Sequence, residues 1–202
     1  MRKNKLKTNR NLEMKVIVLM FIIILSINHT SVYAVTSDEY FAGNQLKQLG
    51  VLKGYPDGTL KLEKSISRSE VATIMVRVRG YENSDIQLEG RAFTDVAVGN
   101  WAYQNIQNAY KLKIIQGYPD LSFKPLNDIS YAEVIAIMVN ALGYKEKVVG
   151  NWPENYINKA KELGVIPANS TVDPKKIITR GEMSLIVWDT LLVKLEDTSI
   201  LQ

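Results

Sequence analysis

The sequence predicts an all-α protein in which three helix–loop–helix repeats share one core. The first observation is a recurring tetrapeptide: Gly54-Tyr55-Pro56-Asp57 returns 63 residues later as Gly117-Tyr118-Pro119-Asp120. The second is a recurring tripeptide, since Gly99-Asn100-Trp101 returns 51 residues later as Gly150-Asn151-Trp152. Self-similarity at such spacings is typical of repeat architectures. One helix pair cannot bury its own apolar face, so we expect the three copies to pack together in a pseudo-threefold arrangement.

Each copy is predicted to hold two helices. Apolar residues recur at helical spacing in the second helix of copy one, at Val71, Ile74, Met75 and Val78, which makes one buried stripe. Gly80 and Gly143 follow the second helices of copies one and two, where we expect left-handed caps. The predicted first helices cover residues 39–49, 101–112 and 153–163, and the second helices cover residues 69–79, 132–142 and 181–193.

The starts of the three second helices share a third pattern, S/T-x-x-E. It occurs as Ser67-Arg68-Ser69-Glu70, Ser130-Tyr131-Ala132-Glu133 and Thr179-Arg180-Gly181-Glu182. This pattern predicts a capping box, in which the hydroxyl accepts from the N3 amide and the Glu accepts from the N-cap amide. Three such boxes at the same place in three copies predict three equivalent helix starts. Asn100 and Asn151 are predicted N-caps of the first helices of copies two and three.

The N-terminal segment reads as an export signal. The whole chain has a formal charge of +4, but residues 1–34 carry six Lys or Arg and one acid, so the remainder is close to neutral at −1. A basic stretch leads into the apolar run Val16–Ile27 and then into Val32-Tyr33-Ala34, a small-x-small cleavage pattern. We predict cleavage after Ala34 and a secreted product without a membrane segment. An uncleaved anchor is the alternative, although the apolar run is short of the roughly 20 residues that span a bilayer.

Composition excludes several chemistries. The single histidine, His29, lies in the predicted signal, and the chain has no cysteine. A mature chain without either residue has no imidazole or thiolate for a nucleophile pair or a zinc site, so we predict no metal and no cofactor. The near-neutral remainder gives no reason to expect nucleic acid. A glycosidase needs two opposed carboxylates, and the repeated acids are already explained by caps and turns. We therefore predict that the chain is not an enzyme.

The motifs resemble those of the S-layer homology family, whose unit reads F-x-D-V, W-A-x-x-x-I, G-Y-P-D-G-T-F and I-T-R-A-E. The matching segments are Phe93-Thr94-Asp95-Val96, Trp101-Ala102 with Ile106, Gly54-Tyr55-Pro56-Asp57-Gly58-Thr59-Leu60, Gly117-Tyr118-Pro119-Asp120 with Phe123, Ile66-Ser67-Arg68-Ser69-Glu70 and Ile178-Thr179-Arg180-Gly181-Glu182. The resemblance covers nearly all of the predicted mature chain. It divides the sequence into a signal (1–34), repeats one to three (35–82, 91–144 and 145–195) and a tail (196–202).

The resemblance implies a spindle with three prongs at the cell wall or S-layer of a Gram-positive-type bacterium. Members of this family anchor exported proteins without a covalent bond, by binding an anionic and often pyruvylated secondary wall polysaccharide. The ligand sits in grooves between the prongs, with the Arg of I-T-R-A-E as a main contact. A structural or protein-binding module at the envelope with little glycan affinity is the alternative, and self-association or a cargo protein stays open.

Arg68 and Arg180 hold the position of that Arg and are the leading candidates. We expect each guanidinium to sit beside free helix N-terminal amides and to suit a planar carboxylate, so that alanine at either position weakens binding and leaves the fold intact. Copy two has Tyr131 at this position, so at most two grooves should contain an Arg.

The remaining candidates lie in the loops and at the starts of the first helices. Tyr55 and Tyr118 are suited to stacking on sugar rings. Asp57, Gly58 and Asp120 belong to turns, and loop closure is as good an explanation for the two acids as ligand contact. Trp101 and Trp152 are candidate platforms, although half-buried packing is the more common role for such a ring.

Overall fold

The computed structural model describes residues 34–86 and 90–194. The predicted signal, apart from Ala34, and the predicted tail lie outside the described residues. Within these ranges the protein is helical, and no helix there is long and apolar enough to cross a membrane. The helices are α1 (Ser37–Gln48), α2 (Arg68–Val78), α3 (Tyr103–Lys111), α4 (Tyr131–Ala141), a 3-10 helix (Lys145–Lys147), α5 (Glu154–Glu162) and α6 (Arg180–Thr190). The predicted all-α class and the six predicted helices are confirmed.

The capping predictions are confirmed for the second helices. Ser67, Ser130 and Thr179 are the N-caps of α2, α4 and α6, and each forms a complete box with the Glu three residues later. A fourth box, between Thr36 and Glu39, starts α1 and was readable in the same S/T-x-x-E pattern. Gly80 and Gly143 have φ of 76° and 87°, as their left-handed caps require.

The predicted caps of the other first helices were wrong. The N-caps of α3 and α5 are Ala102 and Pro153, and neither side chain caps its helix. Asn100 instead closes the turn before α3, where its Oδ1 accepts from the Ala102 amide at 2.8 Å.

The helices pair across the copies. The second helix of each copy packs against the first helix of the next, so that α2 lies on α3, α4 on α5 and α6 on α1. At the closing pair, the Phe41 ring of α1 meets the Trp188 ring of α6 edge-on, with centroids 5.9 Å apart. One apolar core runs through all three pairs. No copy is therefore independent of the other two, as the single-core prediction requires.

A closed ring of three backbone hydrogen bonds lies where the copies meet. The Ile66 amide donates to the Ile178 carbonyl, Ile129 donates to Ile66, and Ile178 donates to Ile129, at 3.2 to 3.3 Å. All three side chains are fully buried. The three isoleucines open the I-x-R-x-E segments, so this ring is the physical centre of the pseudo-threefold arrangement.

The first amides of α2, α4 and α6 are all bonded to protein. The Arg68 and Ser69 amides donate to the carbonyls of Asn127 and Pro125 in copy two, both at 3.0 Å. Copy two makes the same pair of bonds to copy three, and copy three to copy one. The third amide of each helix goes to its own cap hydroxyl. The expectation of free amides for an anion was wrong, because these donors join the copies together.

The F-x-D-V motif of copy two holds the loop between α3 and α4. Asp95 accepts from the Phe123 and Lys124 amides at 2.8 and 2.7 Å. The Phe93 ring stacks on the Phe123 ring, with centroids 5.1 Å apart. This motif is structural here, since it fixes the loop that carries Tyr118.

The same packing makes Gly117 essential. A Cβ at this position would lie 2.4 Å from Cε1 of Phe93 and 2.7 Å from the Ser122 carbonyl oxygen. Gly117→Ala is expected to cost about 1–3 kcal/mol of unfolding free energy, because a buried ring and the backbone must both move. Urea unfolding measures the loss. Gly99→Ala is the matched control, since its Cβ would meet nothing within 4 Å, and an equal change in both variants would contradict this account.

Candidate functional site

Arg68 and Arg180 are buried between copies, with 5% and 3% of their surfaces exposed. Nε of Arg68 donates to the Phe123 carbonyl at 2.8 Å, and its Nη1 lies 2.7 Å from Oε1 of Glu133. Nε and Nη1 of Arg180 make the equivalent bonds to the Leu60 carbonyl and Glu70. Each Arg thus pairs with the capping-box Glu of the next copy. Leaving that Glu without its partner would be costly, so the expectation of an unaffected fold on replacing either Arg is revised.

The two arginines differ at their third nitrogen. Nη2 of Arg180 donates to the Lys53 carbonyl at 3.2 Å, so all three of its side-chain nitrogens are engaged. Nη2 of Arg68 makes no hydrogen bond to any residue that the structure describes, and it is not among the buried atoms without a partner. Arg68 therefore keeps one nitrogen without an acceptor among the described residues, whereas every side-chain nitrogen of Arg180 already donates to protein.

Glu133 is the centre of the polar contacts around Arg68. Its Oε1 accepts from Arg68 and from the Tyr118 hydroxyl, and its Oε2 accepts from the amide and hydroxyl of Ser130. Burial opposes ionisation of Glu133, but the Ser130 bonds, the Arg68 charge and the Tyr118 bond outweigh it and lower its pKa. Burial raises the pKa of Tyr118, against the Arg68 charge and with the help of the bond to Glu133.

The lowered pKa of Glu133 predicts a loss of stability in acid. Its ordinary pKa is 4.5. Because folding lowers this value, the ionised carboxylate stabilises the fold above about pH 4.5, and the contribution disappears as the pH falls through the folded pKa. Urea unfolding at about pH 7 and about pH 3.5 should show a smaller acid-induced loss for Glu133→Gln than for the wild type. Exposed Glu63→Gln is the control, and an unaltered pH dependence in Glu133→Gln would contradict the assignment.

The junction between copies two and three lacks an Arg. Tyr131 stands there, and burial together with the Glu182 charge raises its pKa. Glu182 pairs with Lys176 instead. The loop of copy three also lacks the Tyr-Pro-Asp turn, so this junction shares neither the guanidinium nor the tyrosine of the other two.

A groove beside Arg68 brings several predicted residues together, and we call it the Trp152 groove. It is a cavity of about 200 Å³ between the loop of copy two and the α4–α5 pair. Its polar and aromatic lining comprises Arg68, Gln116, Tyr118, Glu133, Asn140, Trp152 and Tyr156. Arg68 is the one cation among these residues, and its guanidinium lies 4.9 Å from the centre of the Tyr118 ring.

Both predicted tryptophans are exposed, so half-buried packing was the wrong expectation. Trp101 and Trp152 are 61% and 53% exposed. The Trp152 ring meets Tyr156 edge-on, with centroids 5.8 Å apart, and the Tyr156 hydroxyl lies 3.3 Å from Oδ1 of Asn140. This aromatic pair forms one wall of the groove.

The corresponding surface of copy one, which we call the Trp101 surface, is bridged by ion pairs. By the repeat register it contains Arg180, Tyr55 and Trp101. Glu82 accepts from Nζ of Lys53 and Nε of Arg77, both at 2.8 Å. Burial opposes ionisation of Glu82, but these two cations outweigh it and lower its pKa. In the Trp152 groove the matching residues are the neutral Gln116 and Asn140, which leave the groove open.

The predicted turn residues bond within their own loops. Asp57 accepts from the amide and hydroxyl of Thr59 and from Nζ of Lys61, and these contacts hold its pKa well below the usual range. Asp120 does the same with Ser122, and its pKa is also lowered. Gly58 has φ of 79°, and its amide donates to the Tyr55 carbonyl. Loop closure therefore accounts for all three residues. The Arg180 guanidinium lies 5.0 Å from the centre of the Tyr55 ring.

Sequence reasoning missed Gln116, Asn140 and Tyr156 as groove residues. Their signal was the repeat register itself: Gln116 and Asn140 align with the cations Lys53 and Arg77 of copy one, and Tyr156 of copy three aligns with Asn105 of copy two. Among the described residues no group of three or more His, Cys, Asp or Glu is placed to hold a metal ion.

The fold and groove define a repeat protein with a ligand-sized cleft between interlocked helix pairs. A family model described as "S-layer homology domain" matches residues 44–72, 92–135 and 148–184. The chain belongs to the S-layer homology domain family.

Curated relatives support a place at the cell surface. The chain is 38% identical over 152 residues to "Middle cell wall protein" of Brevibacillus brevis, and 38% identical over 122 residues to "Surface layer protein" of Brevibacillus choshinensis. These alignments cover 75% and 60% of this chain but 14% and 11% of the relatives. "Cellulosome-anchoring protein" of Acetivibrio thermocellus is 30% identical over 152 residues, covering 67% of this chain and 34% of that protein.

Family and relatives together give the location and the general role. The chain is a surface protein of the wall or S-layer of a Gram-positive-type bacterium, and its general role is anchoring at that surface. It spans about a seventh or less of the length of the first two relatives.

Proposed function

We propose that the chain anchors to the wall by binding an anionic, pyruvylated secondary polysaccharide in the Trp152 groove. The observation that carries the proposal is Arg68, whose Nη2 has no hydrogen-bond acceptor among the described residues and which lines a cavity whose other side chains are neutral or aromatic apart from Glu133. A guanidinium donor suits a carboxylate. In this partly buried setting water competes less for it than at an open surface.

The aromatic walls supply the rest of the recognition. Trp152 and Tyr118 offer ring faces to a sugar, and tryptophan and tyrosine combine a large apolar surface with a polar tip. Gln116 and Asn140 add neutral donors and acceptors for hydroxyl or acetamido groups. Arg68 is held in place by Phe123 and Glu133, so the groove is preorganised for its ligand.

The two arginine positions are unequal in this proposal. Arg68 contacts ligand through Nη2, whereas Arg180 is a structural link between copies three and one. Tyr55 and Trp101 belong to a surface that Glu82 bridges, and Asp57, Gly58 and Asp120 shape loops. One strong site per chain is the expected result.

A pull-down with purified Gram-positive walls tests the glycan against a protein partner. The full chain is incubated with intact walls and with walls from which the secondary polysaccharide has been extracted. Binding that disappears on extraction supports the proposal. Equal binding to extracted walls would favour the alternative, a module that recognises a protein or another wall polymer.

A further inference from the structure

A second cavity lies next to the Trp152 groove, and three lysines line it. Lys111 and Lys113 come from the C-terminal end of α3, and Lys145 opens the 3-10 helix. The cavity has a volume of about 300 Å³, and Glu146 is the one acid in its lining. We call this cavity the lysine pocket. Asn140 lines both cavities, so the two are neighbours.

The three lysines lack ion-pair partners in the part of the chain that the structure describes. Other lysines there are paired, among them Lys53, Lys61, Lys159 and Lys176. Three ammonium groups around one small cavity repel each other and raise the local positive potential. An anion in the cavity would relieve that repulsion, and Glu146 alone leaves the lining with a net positive charge.

Copy one shows what occupies the equivalent place. Arg77 aligns with Asn140, and their side chains make the same hydrogen bond, to the carbonyls of Val51 and Ile114, each at 3.3 Å. Glu82 aligns with Lys145, 63 residues later. In copy one the Glu82 carboxylate is bound by two cations at this position. Copy one therefore supplies its own anion at Glu82, where the equivalent position holds Lys145 beside an open cavity.

We infer that the lysine pocket binds a second anionic substituent of the wall glycan, carried by a sugar beyond the one in the Trp152 groove. The inference rests on the proposed function and names a further part of the ligand. Asn140 is fixed between the two cavities by the Ile114 carbonyl and the Tyr156 hydroxyl. A glycan chain that leaves the groove past Asn140 brings its next charged group, a carboxylate or a phosphate, to the lysines.

The test installs the acid of copy one, Glu82, at the equivalent position 145. Lys145→Glu reverses one charge of the pocket and places a carboxylate beside Lys111 and Lys113. Lys175→Glu, at an exposed loop position, makes the same change in net charge elsewhere and is the matched control. Calorimetry on the full chain uses two probes: a pyruvylated monosaccharide glycoside and fragments of several sugars released from Gram-positive walls.

We expect Lys145→Glu to bind the fragments about tenfold more weakly than the wild type does. Its affinity for the monosaccharide should equal that of the wild type. Lys175→Glu should bind both probes normally. Fragments separated into phosphate-containing and phosphate-free pools identify the group, because only the pool that carries it should bind the two variants differently. Unchanged fragment affinity in Lys145→Glu, or an equal loss in Lys175→Glu, would overturn the inference.

A separate readout keeps the pocket testable if the wild type binds neither probe, which would refute the proposed function. Amide NMR signals of Leu112 and Gly143 are followed during titration with inorganic phosphate. Shifts in the wild type and in Lys175→Glu that vanish in Lys145→Glu support an anion pocket. The absence of shifts in the wild type overturns it, and then the lysines serve only to offset the helix C-terminal dipoles.

Discussion

Arg180→Ala is expected to lower the free energy of unfolding by about 3 kcal/mol, because it leaves Glu70 in a partly buried site without its partner. The change also removes the donors to the Leu60 and Lys53 carbonyls. These contacts join copy three to copy one and so close the ring of copies. Urea unfolding followed by circular dichroism measures the loss.

Exposed Arg91→Ala is the control for this variant, since it removes the same charge without a buried contact. If Arg180→Ala does not fold, Arg180→Lys tests the same contacts. Lysine keeps the positive charge but lacks the guanidinium group whose three nitrogens reach three acceptors. An unfolding midpoint for Arg180→Lys equal to that of the wild type would contradict the structural role. Adding Glu70→Gln should recover part of the loss, as expected for two coupled residues.

Trp152→Ala is expected to weaken polysaccharide binding about 10- to 100-fold, because it removes the aromatic face on which a sugar ring stacks. Stacking of a nucleobase on such a face contributes roughly 1–3 kcal/mol of binding free energy, and we expect a similar magnitude here. Trp101→Ala is the matched control at the same position of the preceding copy. It should change affinity less than about twofold, since every side-chain nitrogen of Arg180 already donates to protein and the ion pairs of Glu82 bridge the Trp101 surface.

Both tryptophans are more than half exposed, so neither variant should lower the thermal midpoint by more than a few degrees. Affinity is measured by calorimetry with wall polysaccharide fragments. Equal losses in the two variants would mean that two grooves bind, and an unchanged affinity in Trp152→Ala would place the ligand elsewhere.

Most of the fold was predictable because each copy repeats the same local signals. The S/T-x-x-E boxes located α2, α4 and α6, and the glycines after α2 and α4 marked their ends. The partners of the helices were not readable in this way. Apolar periodicity shows that a stripe is buried, but α2 could satisfy it against α1 or α3, and the choice depends on packing across copies.

The site was predictable in part, and the error has a physical cause. The family motif indicated Arg68 and Arg180, but sequence alone does not show that the amides beside them donate to the loops of the next copy. Sequence alone also does not show that each guanidinium pairs with the capping-box Glu of the next copy. The contacts of the two arginines join residues 55 to 127 positions apart. The difference between the two arginines rests on one nitrogen, Nη2, and only coordinates reveal it.

The most direct test of the central claim is a calorimetric titration of the full chain with polysaccharide fragments before and after mild acid removes their pyruvyl ketals. The account predicts one strong site per chain for the intact fragments and a loss of affinity of at least about tenfold after the treatment, because the free donor of Arg68 then has no carboxylate to meet. Equal affinity for the intact and the treated fragments would contradict it.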